Sequence, residues 1–134
     1  MFKSILVGLD GGKQSERVLA AAIDLAKRCK SKIHLASIIP ARRSMVTLPL
    51  VTEMQPMLNN ARAAALKAKL KAKSIILFGV PAEQLAKYAR KEKIDLIVLG
   101  RFGKGFKAGF SKFLMGSVSK QLNKIAPCSV LTIK

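Results

Sequence analysis

Apolar residues fall in short, dense blocks along this chain, and stretches of helical period separate them. The blocks are Ile5-Leu6-Val7 within 2–9, Ile33 to Ile39, Ile75-Ile76-Leu77-Phe78, Leu96-Ile97-Val98-Leu99 and Val130-Leu131-Thr132-Ile133. They are almost continuously apolar instead of alternating, which is the pattern of strands covered on both faces. Between the first two blocks, Val18, Leu19, Ala22, Ile23, Leu25 and Ala26 recur at helical spacing, with Ser15 placed to cap the helix and a fade near Cys29. Ala82, Leu85, Ala86 and Ala89 mark a second helix over 81–93, and a third runs from about Gly116 to Ile125, where Pro127 stops it.

Residues 41–56 carry Pro49 and Pro56 without clear periodicity, and predict a mobile loop with at most a short helical piece. Pro56 is placed to open an alanine-rich helix that runs to about Lys73. The resulting order, β-α-β-α-β-α-β-α-β, predicts parallel strands joined by right-handed crossovers. The fold class is α/β, a single doubly wound domain spanning residues 1–134 with helices on both faces of one sheet. In such sheets a ligand sits beyond the strand C-termini, where the strand order reverses.

Catalytic chemistry is scarce. His34 is the single histidine and falls inside a strand, so a structural role is expected of it. Without a second candidate near it no Ser-His-Asp set forms, and no carboxylate pair or metal-ligand spacing recurs. Cys29 and Cys128 form no CxxC pair and are expected as buried core thiols. The chain therefore reads as a binding protein and not an enzyme. No apolar run reaches the roughly 18 residues of a membrane span, and the first residues lack a cleavage-site pattern, which predicts a cytoplasmic protein.

The densest signal lies in the last third. Asp95-Leu96-Ile97-Val98-Leu99-Gly100 ends a strand, Arg101-Phe102-Gly103 follows, and Gly116-Ser117-Val118-Ser119 opens a helix. Glycine lets the backbone approach an anion, the N–H groups of a helix start face it, and the serine hydroxyls add donors. Lys104, Lys107 and Lys112 lie between these landmarks, with Phe102, Phe106, Phe110 and Phe113 among them.

Taken together, these landmarks resemble the universal stress protein family across nearly the whole chain. The residues that carry the resemblance are Leu9-Asp10-Gly11-Gly12, Ile38-Ile39-Pro40, Gly79-Val80-Pro81, the Asp95–Gly100 strand, Gly116-Ser117-Val118-Ser119 and Ala126-Pro127-Cys128-Ser129-Val130-Leu131. The resemblance implies a five-stranded parallel sheet in the order 3-2-1-4-5 and a stress-related regulatory protein. It also implies binding of ATP, AMP or another adenine nucleotide, with Mg²⁺ held through the phosphates. Gly100, Gly103, Gly116, Ser117 and Ser119 would then meet phosphate and ribose, Asp10 would lie near adenine and ribose, and Ile38 would receive adenine. Leu9, Leu99 and Val118 would flank the same site. Twelve residues separate Gly103 from Gly116 where the family motif has nine, and Gly105 and Gly109 would let the longer loop fold back. A homodimer paired through the last strand is a further implication.

Charge adds a second picture. Twenty-five Lys and Arg against seven Asp and Glu give a net +18. This basic excess points to polyanionic partners. The alternative function is therefore a non-nucleotide interaction module whose basic surface binds an acidic protein, an anionic membrane surface or nucleic acid.

Overall fold

A computed structural model describes residues 1–39, 44–100 and 115–134, of which 44–50 and 115–117 are described by backbone only. The elements run β1 (Ser4–Gly8), α1 (Ser15–Cys29), β2 (Lys32–Ile39), α2 (Ser44–Lys67), β3 (Ala72–Phe78), α3 (Pro81–Lys91), β4 (Leu96–Gly100), α4 (Met115–Ile125) and β5 (Ser129–Ile133). The five strands form one sheet in the order β3-β2-β1-β4-β5. Every neighbouring pair is parallel, with Val7 of β1 registered between Leu35 and Val98. The doubly wound fold and its strand order are as expected.

Alternate side chains of the central strands serve two cores, which is why their sequences are almost continuously apolar. Ile5, Val7, Ile33, Leu35, Leu96 and Val98 pack against α1 and α2. Leu6, Ala36, Ile38, Ile97 and Leu99 pack against α3 and α4. The helices present narrow stripes of small residues, Val18-Ala22-Ala26 on α1 and Ala82-Ala86-Ala89 on α3. Such stripes let a helix axis lie close to the sheet.

One expectation is corrected. Residues 44–56 are not a loop: α2 is a single helix of 24 residues that passes through Pro49 and Pro56 and stops at Lys67, short of Lys73. Met54, Leu58, Ala61 and Ala65 are all buried along one stripe of it. Burial of that stripe outweighs the poor helix propensity of proline, since propensity is only a weak prior against tertiary packing. Residues 41–43 of the expected loop lie outside the described residues.

Three helices close in the same way. Lys30, Lys69 and Lys93 adopt positive φ of 55°, 64° and 53°. The next residue in each case sends its N–H back five positions: Ser31 to Ala26 O at 2.9 Å, Leu70 to Ala65 O at 3.1 Å, and Ile94 to Ala89 O at 2.9 Å. This is the Schellman closure, in which glycine is the usual left-handed residue. Lysine there costs about 1–2 kcal/mol of backbone strain. All three closures lie at the edge where the strands begin.

Candidate functional site

At the opposite edge, β1 and β4 lie side by side and their connections leave in opposite directions, which makes this the switch point where a doubly wound sheet ordinarily holds its ligand crevice. The turn after β1 is held from several sides. The Leu9 N–H donates to Ala36 O at 2.8 Å, and the buried Ser37 hydroxyl donates to Leu9 O at 2.8 Å. Asp10 then folds the turn. Its Oδ1 accepts the Gly12 N–H at 2.8 Å and the Ser15 hydroxyl at 3.1 Å. The Ser15 oxygen in turn accepts the Gly11 N–H at 3.0 Å. Gly11 has φ +78°, a conformation that favours glycine.

This network corrects the expected role of Ser15. Gln14 occupies the N-cap of α1, with no side-chain cap bond, and the Ser15 hydroxyl is committed to the Asp10 turn. The second carboxylate oxygen, Asp10 Oδ2, is buried and has no hydrogen-bond partner among the described residues. A buried polar oxygen is ordinarily paired, and leaving one unpaired costs about 1–3 kcal/mol. Oδ2 is thus an unspent acceptor in the turn that follows β1.

The remaining expected residues divide by what they can offer. Leu9 and Leu99 are 2% and 0% exposed, so their side chains belong to the core and only their backbone borders the crevice. Ile38 and Val118 are buried in the α3/α4-side core. Gly100 ends β4 against the first turn of α1: a Cβ there would stand 3.2 Å from Val18 Cγ2 and 3.3 Å from Gln14 Oε1. This close approach gives Gly100 a packing reason independent of any ligand. Gly116 and Ser117 lie in the first turn of α4, three and two residues before buried Ser119. First-turn N–H groups of a helix lack intrahelical partners and form an anion-binding end. The Ser117 side chain, Gly103, and the lysines and phenylalanines of 102–113 lie outside the described residues.

Sequence reasoning missed Ser37 and Gln14. Ser37 interrupts an apolar strand, which is a visible signal of a buried hydrogen bond, whereas nothing in the sequence marks Gln14. His34 lies at the other end of the sheet, where its Nδ1 is 2.8 Å from the Tyr88 hydroxyl and the rings meet edge to face. Burial, and then Lys73, lowers the His34 pKa below its ordinary 6.5. Burial, aided by Glu92, pushes the Tyr88 hydroxyl up to about 12. The cysteines are half-buried, not fully buried as expected, and neither is in a disulfide. Burial and Asp95 raise the Cys128 pKa. Among the described residues no group of three or more His, Cys, Asp or Glu is placed to hold a metal ion, and no described helix is long and apolar enough to cross a membrane.

Comparison with known proteins agrees with this architecture. The chain is 31% identical to a universal stress protein of Methanocaldococcus jannaschii, over all of this chain and 83% of that one. The crystal structure of a universal stress protein family member from Burkholderia pseudomallei superposes with a TM-score of 0.80 at 24% identity, covering 98% of this chain and 96% of the other. A universal stress protein from Archaeoglobus fulgidus, solved in complex with dAMP, superposes with a TM-score of 0.78 at 20% identity, covering 99% and 98%. The model of the Universal stress protein family matches residues 1–134. From strand order to sequence match, the chain belongs to the universal stress protein family.

Proposed function

We propose that this protein binds an adenine nucleotide, ATP or AMP, in the crevice between the ends of β1 and β4, and acts through that ligand as a cytoplasmic stress-response regulator. The observation that carries the reading is Asp10 Oδ2, buried and without a hydrogen-bond partner among the described residues, an acceptor suited to a ribose hydroxyl. The first turn of α4, on the far side of the β4 connection, would supply N–H groups and the positive end of a helix dipole to the phosphates. Gly100 and Gly116 would give the backbone its close approach, and Ser119 would supply a hydroxyl; the same roles fall by resemblance to Gly103 and to the Ser117 side chain, which lie outside the described residues. Leu9 and Leu99 would border the crevice through their backbone, Val118 would flank it from α4, and Ile38 would meet the adenine chiefly through its backbone. A Mg²⁺ ion would be carried by the nucleotide's phosphates and water, with little help from protein carboxylates. The complex of the Archaeoglobus relative with dAMP supports the ligand class.

The reading is one of binding: among the described residues His34 lies at the other end of the sheet, paired with Tyr88, and no second catalytic side chain accompanies Asp10. The protomers would pair through β5, an edge strand whose Leu131 is 39% exposed. An apolar edge of this kind needs covering. The site is tested with Gly116→Val, which puts a branched side chain where phosphate should approach. Calorimetric titration with ATP and AMP is expected to show binding to the parent protein and none to the variant, at unchanged circular dichroism. Binding retained by a folded variant would place the nucleotide elsewhere.

A further inference from the structure

The edge where the strands begin carries a feature that the nucleotide reading does not use. A cleft of about 440 Å³ opens there between the ends of α1 and α2, lined by Lys27, Lys30, Lys32, Lys69 and Lys71. No acidic side chain lines it among the described residues. A second cavity of about 410 Å³ shares Lys32 and Lys71 and adds Lys73, His34 and Glu92. The acids of this edge are already engaged. Glu92 pairs with Lys73 at 3.4 Å, and Asp95 accepts the backbone N–H groups of Lys3 and Ser4 at 2.9 and 3.0 Å. Asp24 pairs with Arg28 at 3.1 Å.

Lysines near helix C-termini ordinarily offset the dipole, so that role must be counted first. Two helix ends present roughly half a negative charge each, about one in all, against five ammonium groups. Lys32 moreover begins β2 and Lys71 immediately precedes β3, so neither caps a helix. Lys30 and Lys69 occupy left-handed positions where glycine is the unstrained residue. The charge is therefore concentrated beyond what helix capping asks, at a strained backbone, in a concave place.

We infer that this lysine cleft binds the phosphodiester backbone of nucleic acid without reading its sequence. Lysine offers compact point charges to phosphate oxygens, and contacts of that kind position a duplex but do not read bases. The lining contains no aromatic side chain on which a base could stack. A membrane would meet a flat basic face with apolar side chains to insert, and an acidic protein would bury an apolar centre. The cleft offers only Ala68 and Leu70 of that kind. It lies at the opposite edge from the nucleotide crevice, so either inference stands if the other fails.

The test is fluorescence anisotropy of the full chain with two labelled DNA duplexes of unrelated sequence. Both duplexes should bind alike. Five phosphate contacts predict a log–log salt slope of about −4.5, a loss of roughly 500-fold between about 50 and 200 mM salt. Lys30→Gly/Lys69→Gly removes two charges while supplying the residue that the left-handed backbone prefers, so the fold is retained. It should weaken binding at least about tenfold and flatten the slope by about 1.8. Lys87→Gln/Lys124→Gln removes the same charge from the exposed faces of α3 and α4 and should change affinity by less than about threefold. Equal losses in the two double variants would overturn the cleft. So would failure to bind duplex at the lower salt, or vesicles of phosphatidylserine captured in its place.

Discussion

Replacing Asp10 by asparagine separates the two jobs of its carboxylate. Oδ1 holds the turn through Gly12 and Ser15, whereas Oδ2 has no partner among the described residues. Asparagine keeps an oxygen for the first job and puts an NH₂ donor in place of the second acceptor. As asparagine and aspartate serve nearly equally in such turns, the stability change should stay within about 1 kcal/mol. A hydrogen bond from a ligand hydroxyl to a charged acceptor contributes about 1.5–3 kcal/mol, so the affinity for ATP or AMP should fall about 10- to 150-fold. Asp10→Ala is the contrast. It strands the Gly12 N–H and the Ser15 hydroxyl, at about 1–3 kcal/mol. For a chain of 134 residues this lowers Tm by about 4–11 °C. Calorimetry gives the affinities and a thermal melt the stabilities. Parent-like affinity in Asp10→Asn would show that Oδ2 does not meet the ligand. Equal Tm losses in both variants would show that the carboxylate acts only through the fold.

The remaining expectations concern the frame around the site. Gly79 has φ +134°, and a Cβ there would stand 2.8 Å from Gln84 Nε2, so Gly79→Ala should cost about 1–3 kcal/mol in urea unfolding. Leu58 is fully buried where α2 meets the sheet, and Leu58→Ala should cost about 2–5 kcal/mol. A much smaller loss would contradict the packing that holds α2 helical through its prolines. His34 has a folded pKa below its unfolded value of 6.5, so its contribution is full above that pH. Stability should fall as pH drops from about 6.5 through the folded value and then level off, because the unfolded chain takes up the proton first; His34→Gln should flatten that limb of the curve. Tyr88, raised from 10.0 to about 12, acts in the opposite direction. Its contribution is present below pH 10 and is lost as pH rises toward 12.

How much of this was legible in the sequence depends on whether the signal was local. The strands were, because a strand buried on both faces must be apolar throughout, as Ile5-Leu6-Val7 and Leu96-Ile97-Val98-Leu99 are. The pattern gave parallel pairing, but only the family resemblance gave the order 3-2-1-4-5, since crossovers do not fix which strands adjoin. The first half of α2 was illegible because Pro49 and Pro56 signal a break, while the burial that overrides them is contributed by the sheet. Ser15 reads equally well as a cap or as the next residue, and the choice follows from where Asp10 lies in space. The basic excess was obvious from composition, but its focus was not. Lys32 and Lys71 are far apart in sequence, and it is the parallel register of β2 and β3, with the Ile33 N–H on Lys71 O at 2.9 Å, that makes them neighbours.

The central claim, an adenine-specific site at the C-terminal edge of the sheet, is tested most directly by the thermal stabilisation of nucleotide-free protein. Mg-ATP is compared with Mg-tripolyphosphate at low and moderate salt. Ligand at about 100 times its dissociation constant adds about 2.7 kcal/mol to a folded protein that alone binds it, about 10 °C for a chain of this length. Stabilisation by ATP is expected to survive salt, and tripolyphosphate is not expected to reproduce it. Equal stabilisation by both, lost as salt rises, would contradict that claim and leave a protein that reads only negative charge.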